Sequence, residues 1–94
     1  MKSIGRGVQL VNKTMTLADT EYSQELPYGT VKYLVQNRGL YDTKLSFSSG
    51  QSGLNYLTIK AGQVYYEDLV ETSRTLYFQC ATLGQVLEII IWVR

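Results

Sequence analysis

The sequence predicts an all-β fold: a single antiparallel β-sandwich or jelly-roll-like barrel of about eight short strands. Three observations carry this reading. Alternation of period two, rich in β-branched and aromatic residues, recurs along the chain, whereas helical periodicity is scarce. Clusters of Gly, Asn, Asp, Ser and Pro interrupt it at intervals of roughly 8–12 residues, the spacing of strands joined by turns. The 94 residues, 45% hydrophobic and 18% charged, provide enough apolar material for one small core and too little charge for disorder.

Residues 1–7, with Gly5 and Gly7 between Lys2 and Arg6, read as a flexible arm ahead of a domain spanning 8–94. Strands are expected at about Val8–Leu17 and Glu21–Leu26, the second closed by Leu26-Pro27-Tyr28-Gly29, where proline presets φ and glycine accepts a left-handed turn. Val31, Tyr33 and Val35 then alternate with Lys32, Leu34 and Gln36, placing the first set inward, up to the turn Asn37-Arg38-Gly39. The same alternation puts Leu45 and Phe47 inward before Ser49-Gly50-Gln51-Ser52-Gly53. Leu57 and Ile59 come next as an inward pair, which turns Tyr56 outward, and Lys60-Ala61-Gly62-Gln63 ends that strand. In Gln63–Leu69 the adjacent Tyr65 and Tyr66 must point to opposite faces, one to the core and one to solvent. After Thr72-Ser73-Arg74, the strand Thr75–Ala81 gathers Leu76, Phe78 and Cys80 on one face. Leu83-Gly84-Gln85 leads into the last strand, Gln85–Val93.

Catalytic chemistry finds few residues to use. The chain has no histidine, which removes the commonest general base, the commonest metal ligand and every Ser-His or Cys-His arrangement. Gly5-Arg6-Gly7 lacks the third glycine and the strand-turn-helix context of a phosphate loop. Glu67, Asp68 and Glu71 form the one acidic cluster, but on a strand Glu67 and Asp68 face opposite ways and read as solvated strand-end charges. Cys80, the lone cysteine, shares an apolar face with Phe78 and reads as a small core residue that forms no internal disulfide. Asn12-Lys13-Thr14 has the form of a glycosylation sequon, which matters only in a secreted eukaryotic chain. No catalytic residue, cofactor or metal site is therefore expected. With a net charge of +1 and scattered basic residues, a nucleic-acid partner is not expected either. Nor is a membrane partner, since the longest apolar run is only Ile89–Val93 and no secretory leader is visible.

The features that remain are those of a binding protein. Eight tyrosines and one tryptophan exceed what a thin core easily hides, and tyrosine is an amphipathic contact residue. In the last strand Leu87, Ile89, Ile91 and Val93 occupy one face while Ile90 and Trp92 make the other apolar as well. A half-buried sheet needs only one such face. A loop or arm of the same chain, or a neighbouring subunit, must cover the second. Tyr56, Tyr65, Tyr66, Ile90 and Trp92 are the candidate interface residues.

The run Lys13–Pro27, then Ser46-Phe47-Ser48-Ser49-Gly50, Tyr56-Leu57-Thr58-Ile59-Lys60-Ala61-Gly62, Tyr66-Glu67-Asp68 and a closing Trp92 resemble small virion proteins of tailed bacteriophages, among them capsid decoration or cement proteins with β-sandwich folds. The resemblance spans roughly residues 12–93 as a succession of strands and turns. It implies a non-enzymatic structural role: a homo-oligomer that binds the major capsid protein or another virion protein, assembled in the host cytoplasm and residing in the phage particle. A carbohydrate- or receptor-binding module of a phage tail or spike, with outward tyrosines and Trp92 stacked on sugar rings, is the competing expectation.

Overall fold

In the computed structural model, which describes residues 7–68 and 74–94, the chain forms eight strands and, among those residues, no helix. They are β1 (Gly7–Met15), β2 (Tyr22–Leu26), β3 (Thr30–Asn37), β4 (Thr43–Ser46), β5 (Leu57–Ile59), β6 (Val64–Asp68), β7 (Arg74–Cys80) and β8 (Gln85–Val93). Two four-stranded sheets result, in the orders β1-β8-β3-β6 and β2-β7-β4-β5. The topology has a simple origin. The first four strands pair antiparallel with the last four in reverse order, β1 with β8, β2 with β7, β3 with β6 and β4 with β5, as in one long hairpin. Successive pairs fall into alternate sheets, and the contacts β3·β8 and β4·β7 knit each sheet together. This is the jelly-roll arrangement that the spacing of strands and turns predicts.

The alternation in the sequence becomes the two sides of each sheet. Met15, Tyr33, Val35, Leu87, Ile89 and Ile91 point inward from the first sheet, and Leu26, Leu45, Ile59, Leu76, Phe78 and Cys80 meet them from the second. All twelve are buried. Burying a large aliphatic or aromatic side chain contributes about 1.5–3 kcal/mol, so these residues supply most of the driving force for joining the sheets. Cys80 has the core position read from the sequence, and its thiol donates weakly to the Asp42 carbonyl at 3.3 Å.

Three inward assignments are corrected by the structure, each at a strand boundary. Phe47 lies just past the end of β4 and is 38% exposed, and Leu57, at the start of the three-residue β5, is 42% exposed. Alternation fixes the direction of a side chain, but a residue at the end of a short strand has no opposing sheet above it. Val31 is displaced for another reason. The register of β3 against β8 shifts between Thr30 and Lys32, and this bulge buries Thr30 while leaving Val31 half-exposed. Gly7, assigned to the arm from the sequence, opens β1 opposite Val93, and the rest of that arm, residues 1–6, lies outside the described residues. So do Glu71 and the Thr72-Ser73 part of a predicted turn.

The closed end of the sandwich is organised by Asn37, which is fully buried at the end of β3. Its Nδ2 donates to the carbonyls of Tyr41 and Ile59, both at 2.8 Å, and its Oδ1 accepts from the Gly39 amide at 2.9 Å. Its own carbonyl accepts from the Gly62 amide at 2.8 Å, in a turn where Gly62 takes a left-handed φ of 81°. One side chain thereby ties the β3–β4 connection to the end of β5 in the other sheet.

Candidate functional site

The outward face of β1-β8-β3-β6 is built by register. Opposite residues on neighbouring strands share a face, so Leu10 of β1, Ile90 of β8, Leu34 of β3 and Tyr66 of β6 form one continuous row across the sheet. The adjacent row is Val8, Trp92, Lys32 and Asp68. Val8, Leu10 and Tyr66 are well exposed, at 59%, 75% and 57%, and Leu34, Ile90 and Trp92 are half-buried. Among the described residues nothing lies over this face. A shallow depression of about 190 Å³ runs between Leu10, Leu34 and Ile90, and an open cleft of about 490 Å³ lies beside Val8, Val31 and Trp92.

The charges on this face are matched within the chain. Lys32 sits 3.7 Å from Asp68, with its ammonium over the Trp92 ring at 5.0 Å and near the Tyr66 ring at 5.6 Å. Arg38 pairs with Glu88 one strand away. Exposed pairs of this kind contribute little to stability. Their effect is to leave an apolar stripe without a net field.

The structure separates the five candidate residues. Tyr66, Ile90 and Trp92 come together on this face. Tyr65 turns inward, its ring 6.3 Å from the rings of both Tyr33 and Phe47, so of the adjacent tyrosines it is Tyr65 that faces the core. Tyr56 is exposed as expected but lies just ahead of β5, on the side of the other sheet, where Lys44 of β4 lies 5.0 Å over its ring. Val8, Leu10 and Leu34 complete the stripe and escaped the sequence reading. The available signal was that Leu34 beside Val35 makes both faces of β3 apolar. That β1 would flank β8 was not visible locally.

Two polar clusters brace the sandwich behind this face. At one end the buried Tyr33 hydroxyl donates to Glu67 at 2.7 Å, Arg74 pairs with the same carboxylate oxygen, and the guanidinium stacks 4.9 Å over Phe47. Burial, reinforced by the Glu67 carboxylate, pushes the Tyr33 phenol well above its ordinary range. Burial opposes the Arg74 charge, and Tyr33 and Glu67 more than offset it, so the guanidinium stays protonated. A neutral phenol and a fixed cation sharing one carboxylate form a structural brace.

The second cluster anchors the loop between β4 and β5. The Glu21 carboxylate accepts from the Ser52 hydroxyl and from the amides of Gly50 and Ser52, and the Ser52 hydroxyl also lies 3.0 Å from Gln79. The Ser52 hydroxyl first, and then the two amides, outweigh the opposing effect of desolvation and hold Glu21 below the usual carboxylate range. The folded state therefore favours the ionised form. This stability is present above the ordinary carboxylate pKa and is lost as pH falls through the lowered one. Between about pH 6 and pH 3 the native chain should lose more stability than Glu21→Gln, as read by urea midpoints. Equal pH dependence of the two would contradict the assignment.

Among the described residues no three His, Cys, Asp or Glu side chains gather closely enough to hold a metal ion.

No protein-family model and no curated protein matches the chain. Solved structures do. A de novo designed double-stranded β-helix aligns with a TM-score of 0.56 at 15% identity, over 92% of this chain and 97% of the design. A Bacillus endospore appendage protein, described as forming disulfide-linked pili, aligns with a TM-score of 0.54 at 12% identity, over 94% and 86% of the two chains. A cupin superfamily protein from Desulfitobacterium hafniense gives 0.51 at 10% identity, over 92% and 79%. At such identities the likeness is one of fold, and it agrees with the strand order: the chain has the double-stranded β-helix, or jelly-roll, architecture.

Proposed function

We propose that this chain is a non-enzymatic structural module that acts by binding a protein surface through the outward face of β1-β8-β3-β6, in the manner of the capsid decoration proteins its sequence resembles. One observation carries the reading: the apolar stripe Leu10–Ile90–Leu34–Tyr66 with Val8 and Trp92 beside it, exposed at Val8, Leu10 and Tyr66 and half-buried at the other three, whose charges are already neutralised within the chain. Contiguous apolar surface of this kind marks interaction sites on soluble domains. A partner of like character, such as the outer surface of a capsid lattice, fits it better than a polyanion. The pilus-forming neighbour of the same fold lends support, since in that protein the architecture serves assembly. The glycan-binding alternative is disfavoured by the lysines, because Lys32 and Lys44 occupy ring faces of Trp92 and Tyr56 that a stacked sugar would need.

Co-sedimentation with purified phage heads tests the proposal. Saturable binding is expected, weakened about tenfold or more by Trp92→Ala or Tyr66→Ala, the aromatic anchors of the face. Failure to sediment with the heads would refute the proposal, as would binding indifferent to both substitutions.

A further inference from the structure

The sandwich has four edge strands, and they are not alike. β2 has five residues, carries Glu25 and stops at Pro27; β5 has three residues; β6 carries Glu67 and Asp68 among its five described residues. Shortness, charge and proline are the means by which proteins keep sheet edges from pairing with other chains. β1 has none of them in strength. It runs for nine residues, about 30 Å at the usual rise of a strand, with Lys13 as its one charge, no proline, and unbroken register against β8 from Gly7 to Met15. No strand pairs with its outer edge among the described residues. Its outward side chains at that edge, Val8 and Leu10, are the two most exposed members of the apolar stripe after alignment with Trp92 and Ile90, and no strand of the same sheet lies beyond to flank them.

We infer that β1 pairs antiparallel with β1 of a second copy of this chain, joining two four-stranded sheets into one of eight. The inference rests on the binding-module reading and adds to its outward face a second contact, along the β1 edge of the same sheet. Two-fold pairing is self-complementary here. Centred on Leu10, it sets the two Leu10 side chains against each other and places each Lys13 opposite Gly7, so the one charge of the strand never meets its like. The remaining charges of the face, Lys32 with Asp68 and Arg38 with Glu88, are already paired and add no repulsion between copies. The pairing also runs the apolar rows of the two chains together while leaving the outward face open, which doubles the surface available to a capsid.

The test combines mass and amide exchange. Light scattering across a concentration series should rise from 10.7 kDa toward twice that mass. At dimerising concentration alternate β1 amides, those pointing away from β8, should gain protection from exchange. Leu10→Lys, at a 75% exposed position that folding does not depend on, sets two lysines opposite each other and should weaken the dimer about tenfold or more while abolishing that protection. Tyr66→Lys, on the far strand β6, should leave the dimer intact and impair binding to heads alone. A chain that stays at 10.7 kDa up to millimolar concentration overturns the inference, as does a dimer whose β1 amides stay unprotected or that is broken by Tyr66→Lys and not by Leu10→Lys. The two readings fail separately. A monomer that still binds heads removes only the dimer, and a dimer that ignores heads removes only the capsid role.

Discussion

Phe78→Ala should lower the unfolding free energy by about 3–5 kcal/mol, the largest loss expected from any single truncation in this chain. Phe78 is fully buried in β7, an interior strand of its sheet, paired with Tyr22 on one side and Leu45 on the other. Its ring fills the space between the sheets, and the surrounding strands are held by hydrogen-bonded ladders on both sides, so they cannot close fully over the void. The cost is then the lost transfer energy of the ring together with an unfilled cavity. A domain of this size has about 5–15 kcal/mol of net stability, so the variant should sit near the margin of folding at physiological temperature. Urea unfolding followed by Trp92 fluorescence measures this. Phe47→Ala serves as the contrast: that ring, also read as inward from the sequence, is 38% exposed beyond the end of β4 and should cost much less. Comparable losses at the two positions would mean that the core is not where the structure puts it.

Asn37→Ala should cost about 3 kcal/mol through a different mechanism. Alanine fills part of the space but leaves the Tyr41 and Ile59 carbonyls and the Gly39 amide without the side-chain partners they have in the native chain. Leaving buried polar groups unpaired costs about 1–3 kcal/mol each, reduced where the loop can relax toward water. Asn37→Asp is the diagnostic companion. It keeps the shape, gives up the two Nδ2 hydrogens, and near neutral pH sets a carboxylate against two carbonyl oxygens, so it should be at least as destabilising as alanine. If Asn37→Asp proves harmless in equilibrium unfolding, the hydrogen-bond account of this connection is wrong.

These two residues mark how far the sequence could be read. The inward direction of Phe78 follows from the sequence directly, because Leu76, Phe78 and Cys80 recur at every second position and a strand sends such residues to one side. The same logic found both faces of β8 and the opposite directions of Tyr65 and Tyr66. In the sequence Asn37 reads only as part of a turn signal. Its role depends on carbonyls from Tyr41 and from Ile59, and the latter is brought to it by the second sheet. The brace of Tyr33, Glu67 and Arg74 was hidden for the same reason, since β3, β6 and β7 meet only after the sandwich closes.

What the sequence determined by itself was the set of eight strands, their turns and the apolar side of the longer, regularly alternating strands β7 and β8, because alternation and turn chemistry are properties of adjacent residues. What the tertiary structure decided was which strands lie side by side. Ile90 and Trp92 could be recognised as an apolar face in need of cover, but the extent of that face depended on β1 and β3 flanking β8 and contributing Val8, Leu10 and Leu34. It was likewise the sheet order that left β1 at an edge and put Tyr56, just ahead of β5, away from the other candidates. Pairing between the first and last strands is a contact between distant segments, set by how the whole hairpin folds over its core, and no local pattern encodes it.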